Sequence, residues 1–208
     1  MTQIALPLDA GPGASLARIV IGSANAAVID ACGAAANWPF RNAILTGPPR
    51  SGKSLLTRWF VHGGMGEAID DAWTLDETEL FHRWNRAQEA GSALLLVGRS
   101  RQGGESSWQV TLPDLASRLG AALHLEIGAP DDAMLAGLIA AHAEARGLVL
   151  GDGAAAYLVP RCERSHLGVE RLVTAIDQLS LERKLPATQS IWRDALEALV
   201  GESQPRLL

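Results

Sequence analysis

Residues 42–61 read NAILTGPPRSGKSLLTRWFV, and they restrict the fold more tightly than any other stretch of the chain. A short apolar run, 42–46, ends at Gly47; four residues later come Gly52, Lys53 and Ser54, followed by a helical pattern over 53–61. The residue types have physical reasons. Glycines let the backbone turn its N–H groups inward around phosphate oxygens, and the helix N-terminus adds about half a positive charge. A lysine at position 53 meets the β and γ oxygens, and a hydroxyl at 54 is offered to magnesium. Gly47, Pro48, Arg50, Ser51, Gly52, Lys53, Ser54 and Leu55 are therefore the expected phosphate-binding set. Strand, loop, helix is the context that such a motif requires.

The rest of the chain supplies the elements around that unit. Ser23 is placed as an N-cap for an alanine-rich helix over 23–35, with Gly33 near its end. Residues 68–71, Ala-Ile-Asp-Asp, read as a strand end, and Asp76 caps a helix over 76–90 with Glu79 three residues on. SALLLVG, 92–98, is a buried parallel strand; 114–119 is helical and 122–127 alternates as a closing strand. After Gly128-Ala129-Pro130 strand signals stop, and helical segments follow near 131–146, 151–160, 166–182 and 189–200. The expected fold class is α/β: a base with a parallel sheet over 15–128, a small all-α lid over 129–208, and an arm over 1–14. At 208 residues the chain is long enough for one full domain with a satellite.

Composition excludes several classes. No apolar run approaches the roughly 18 residues needed to cross a bilayer, and the start lacks a basic n-region and long apolar core, so a cytoplasmic protein is expected. A net charge of −5 argues against autonomous binding to duplex DNA. Cys32 and Cys162 are far apart and read as reduced, buried thiols. His62, His82, His124, His142 and His166 have no metal-ligand spacing. Most of the six tryptophans read as core anchors or as cover for the shortened sheet, with Trp108, amid Gly and Ser, open instead to a partner contact. Asp70 and Asp71 are the carboxylates best placed to complete a phosphate site by holding magnesium with Ser54, or else form a helix cap or a solvated turn.

LPDLASRL (112–119), IVIGSANAAV (19–28), the glycine loop and VERLVTAIDQLSLERK (169–184) together resemble the AAA+ module of the bacterial initiator DnaA. They are more similar still to its regulatory homologues of the Hda (HdaA) family, over 3–199. That resemblance implies a P-loop AAA+ base with a helical lid, binding ADP or ATP with Mg2+. It implies that Val20, Ile21 and Asn25 lie in the segment that packs on adenine, although the same pattern also suits a core strand turning into a helix. Gln3, Ile4, Leu6, Pro7 and Leu8 are similar to the peptide that grips the sliding clamp of DNA polymerase III, the alternative being an edge strand docked on the body. Arg118 falls at the arginine finger that reaches a neighbour's nucleotide, the alternative being an i, i+4 pair with Asp114.

The chain departs from the family at three places. Only 17 positions separate Lys53 from Asp70 (70 − 53), where the family inserts a further strand and helix, so a piece of the sheet is expected to be missing. Arg99-Ser100 follow SALLLVG where an Asp, Asn or Thr orients attacking water. Glu170 stands at the lid arginine's place, with Arg171 about 100° around the helix and Arg164 just before it as substitutes. The resemblance so qualified implies weak or no hydrolysis of its own. The implied function is a nucleotide switch that meets DnaA carrying ATP on the clamp, promotes hydrolysis there, and so restrains replication initiation; a homodimer is also compatible. No sequence-specific DNA contact is expected. The rival readings are an independent small P-loop ATPase or kinase and a nucleotide-free adaptor between clamp and DnaA.

Overall fold

The computed structural model describes residues 3–5, 18–98 and 108–203. They fall into two compact units, 25–128 and 1–24 with 129–208.

The first unit is built on four parallel strands: β3 (Asn42–Thr46), β4 (Glu67–Ile69), β5 (Leu94–Val97) and β6 (Leu123–Glu126), in the order β4-β5-β3-β6. Parallel strands need crossovers, and helices supply them: α2 (Lys53–His62) after β3, α3 (Glu77–Ala90) after β4 and α4 (Pro113–Gly120) after β5. Helix α1 (Ala26–Gly33) precedes the sheet. β5 pairs on both sides, and all four of its residues are buried, as expected of a strand covered on both faces. Among the described residues β6 pairs with β3 alone; His124 and Glu126 are exposed while Leu125 is buried, the period-two pattern of an edge. The short spacing from Lys53 to Asp70 is accommodated by a tight connection. The four residues 63–66 lead from α2 directly to β4, which among the described residues pairs with β5 alone. Leu80, Leu94, Leu96, Leu115 and Leu119 lie in the core on one side of this sheet.

The second unit packs α5 (Asp132–Ala145), α6 (Ala154–Leu158), α7 (His166–Arg183) and α8 (Gln189–Ser203) around Leu135, Ile139, Leu172, Ile176 and Ile191. It also holds a two-stranded antiparallel ladder of β1 (Gln3–Ala5) and β2 (Arg18–Val20), with Ile4 opposite Ile19. Ile19 and Val20 are buried, and β2 packs against α5.

Local capping explains where several helices begin. The Asp76 carboxylate accepts from the N–H groups of Thr78 and Glu79, as read from the sequence. Ser23 does not cap α1, contrary to expectation. Asn25 occupies the N-cap position, where its side chain makes no cap hydrogen bond, and the Ser23 hydroxyl instead donates to Asp131 Oδ2 at 2.6 Å. A hydrogen bond to an ionised carboxylate outcompetes a neutral cap. Asp131 in turn caps α5 through the Met134 N–H, and these two donors hold its carboxyl below the usual carboxylate range.

Candidate nucleotide site

β3 delivers the chain into the glycine loop and α2 leaves it. Gly52 stands at the N-cap of α2 with φ 88°, a conformation that a side chain strains. A Cβ at Gly47 would lie 2.9 Å from Ile127 Cβ and 3.1 Å from Ser51 Oγ, so the loop closes tightly only because Gly47 lacks one. Arg50 is also left-handed, at φ 62°. Ser51 is buried, and its Oγ has no hydrogen-bond partner inside the loop.

Lys53 Nζ donates to the carbonyl oxygens of Gly47 and Pro48, both at 2.9 Å. Burial is the main influence on its pKa and pushes it below the ordinary lysine value, while Asp70 and Asp71 act in the opposite sense. Those two carboxylates are therefore electrostatic neighbours of the lysine although they follow a different strand. Asp70 is exposed at the end of β4 and lines, with Ser54, Thr57, Val61 and Ala68, a cleft of about 340 Å³. Asp71 has φ 50° and opens a 3-10 turn, Ala72–Thr74, whose Thr74 hydroxyl donates to the Asp71 carbonyl.

The donor set fits a magnesium-bound polyphosphate: a buried orphan hydroxyl in a tight glycine loop, an ammonium, a helix N-terminus, and a hydroxyl with a carboxylate lining one cleft. Ser51, Lys53 and the loop backbone would hold the phosphates. Ser54 and Asp70 would hold the metal, which when bound neutralises phosphate charge. Leu55 N–H is committed to the Gly52 carbonyl, so what Leu55 adds is the first turn of α2.

The remaining expected residues are distributed as follows. Val20 and Ile21 belong to the helical unit, whereas Asn25, 3% exposed, belongs to the sheet unit. On α7, Arg171 is exposed; Arg164, just before the helix, pairs with Asp132 at 2.5 Å. The helical unit also contains a buttressed arginine that the sequence did not single out: Arg146 Nη2 donates to Thr174 Oγ1 on α7 at 2.9 Å. Gln3 and Ile4 lie in β1, paired with β2, the docked alternative for that arm; Leu6, Pro7 and Leu8 lie outside the described residues. So do Arg99 and Ser100.

Arg118 is half-buried and does not turn to Asp114. Its guanidinium stacks on the rings of Phe81 and Trp84, 4.3 and 4.0 Å from their centroids, and Nη1 donates to Asn85 Oδ1 at 2.5 Å. All three partners are on α3. Phe81, Trp84 and Asn85 fall at i, i+3 and i+4, one face of a helix, and that spacing was the signal available in the sequence. Glu77, four residues before Phe81, was also missed: it accepts from Thr111 N at 2.9 Å, Thr111 Oγ1 at 2.9 Å and Leu112 N at 2.7 Å.

No family model matches the chain. Among solved structures it is similar to domain III of the Thermotoga maritima replication initiation protein DnaA, with TM-score 0.67 and 14% identity over 86% of this chain and 94% of that one. The Thermotoga maritima RuvB Holliday junction branch migration motor matches with TM-score 0.59 and 20% identity, over 86% of this chain and 70% of that one. A replication initiator DnaA bound to AMPPCP and single-stranded DNA matches at TM-score 0.55 and 16% identity, over 80% and 66%. At these identities the likeness carries the fold. The chain has the fold of these domains, a parallel-sheet α/β base with helices. Its architecture is similar to that of DnaA domain III. Among the described residues no helix is long and apolar enough to cross a membrane.

Proposed function

We propose that the chain is a nucleotide-binding AAA+ regulator that acts on a second, ATP-loaded protein of the DnaA type and does not run a turnover cycle of its own. The observation that carries this reading is the convergence of Lys53, Ser54 and the Asp70-Asp71 pair at one glycine loop, despite the short connection that leads into β4. The loop holds ADP or ATP with Mg2+ as a switch. Arg118 supplies a guanidinium to the γ-phosphate on the partner, where such a group is worth roughly 10³–10⁵ in rate. Residues 3–8 tether the chain to the sliding clamp of DNA polymerase III, which raises the local concentration of a weak peptide contact. The result is conversion of DnaA-ATP to DnaA-ADP in the cytoplasm and restraint of replication initiation.

The pairing of β1 with β2 favours a second reading of the arm alone, as a structural strand that stays docked. Hydrolysis of DnaA-bound ATP on DNA-loaded clamp tests both. The wild-type chain is expected to stimulate it, Arg118→Ala to lose the stimulation, and deletion of residues 1–9 to make it independent of the clamp. Equal stimulation by wild type and Arg118→Ala removes the finger; unchanged clamp dependence after deletion assigns the arm to the body.

A further inference from the structure

We propose that Glu77 is a positioning residue for Arg118, fixing where α4 lies along α3 and hence where the guanidinium stands. The inference rests on the reading of Arg118 given above and extends it to a side chain bonded to the segment that leads into α4.

Four side chains of α3 form one stripe: Glu77, Phe81, Trp84 and Asn85, at i, i+4, i+7 and i+8. Both ends of the stripe engage the segment that carries Arg118. At the near end, the Glu77 carboxylate accepts three hydrogen bonds from Thr111 and Leu112, the two residues that lead into α4. At the far end, Phe81, Trp84 and Asn85 receive the guanidinium. The lengths agree. From 112 to 118 a helix rises about 9 Å, and from 77 to 81–85 about 6–12 Å, so one anchor dictates the other.

Helix α4 needs such an anchor. Leu112 is its N-cap residue and makes no side-chain cap; Pro113 follows at the first helical position. Leu115 and Leu119, both buried, fix which face of α4 meets the sheet. That apolar pair sets rotation but resists sliding weakly, because apolar contact is non-directional. The three bonds to Glu77 are directional and charge-assisted, and they set the slide. The two backbone N–H bonds lead among the causes that lower the Glu77 pKa. A slip of one residue along α4 would carry Arg118 about 1.5 Å and 100° away from its place.

The test compares Glu77→Ala, Glu77→Gln, Arg118→Ala and, as a control, Glu79→Ala, which removes an exposed carboxylate from the same turn of α3. Two quantities are read: the concentration dependence of stimulated hydrolysis by ATP-loaded DnaA on DNA-loaded clamp, and the ring-current shift of the Arg118 side-chain NMR signals. Glu77→Ala is expected to lower the maximal stimulated rate about tenfold or more, with the half-saturating concentration within about twofold of wild type. It should also abolish the upfield shift produced by Phe81 and Trp84. Glu77→Gln, which keeps an acceptor oxygen, should recover part of both, and Glu79→Ala should match wild type.

If Arg118→Ala abolishes stimulation while Glu77→Ala leaves either the rate or the shift at its wild-type value, the role of Glu77 is refuted and the finger stands. If Arg118→Ala stimulates like wild type, the finger itself is lost, and the NMR shift in Glu77→Ala then decides alone whether Glu77 places the guanidinium.

Discussion

Replacing Arg118 with alanine should cost folding stability as well as function, and the structure sets the size. The guanidinium lies over two rings, and each such contact is worth about 0.5–1 kcal/mol where solvent still reaches it. Its bond to Asn85 is charge-assisted, a class worth about 1.5–3 kcal/mol. The three contacts share one half-exposed group and are not additive, so a loss of about 2 kcal/mol is the reasoned figure. For a chain of this length that is a fall of about 4–8 °C in melting temperature. Arg118→Lys keeps a cation over the rings but not the planar fork that reaches Asn85, and should lie about midway. Differential scanning calorimetry of the three proteins measures this directly. An alanine variant that melts within about 1 °C of wild type would mean that the guanidinium is free in solution, and the reasoning about its placement on α3 would fail.

Three further outcomes follow from the titrating groups. Glu77 has a folded pKa below its ordinary value, so its contribution is present above that value and disappears as pH falls through the folded pKa. Denaturant melts should therefore show Glu77→Gln less stable than wild type at neutral pH, with the gap closing below about pH 4; a gap that widens in acid would contradict the three bonds. Lys53 has a pKa lowered chiefly by burial, and bound phosphate raises it again, so ADP binding should take up protons as pH rises toward about 10. Calorimetry in buffers of different ionisation heat reads the uptake, and equal heats in all buffers would refute it. Cys32 is fully buried with its pKa pushed up to about 11, so a thiol reagent should label half-buried Cys162 first and Cys32 only on unfolding; early labelling of Cys32 would contradict the packing around α1.

What the sequence disclosed depended on whether the governing interaction was local. β3, the glycine loop and α2 were legible to within a residue because the motif ties residue type to backbone conformation position by position. β5 was legible because a strand buried on both faces must be apolar throughout. Ser23 misled because its choice between capping α1 and bonding Asp131 is decided 108 residues away. The pairing of β1 with β2 was beyond reach for a similar reason: three-residue strands carry too little pattern to announce a partner. For Arg118, helical spacing pointed to Asp114 on its own helix, whereas aromatic faces and an amide on α3 offered stronger contacts. Glu77 had no local signal at all, since Thr111 and Leu112 become its neighbours only once β5 has been threaded between α3 and α4.

Every role proposed for the chain requires that the glycine loop, Lys53 and the carboxylates after β4 hold nucleotide. Isothermal titration of ADP with Mg2+ into the nucleotide-stripped chain, beside Lys53→Ala, tests it most directly. Saturable one-to-one binding that weakens about 10- to 150-fold in the variant is the predicted result, the scale of losing a charge-assisted phosphate contact. Absence of binding by the wild-type chain, or equal affinity in the two proteins, would contradict it.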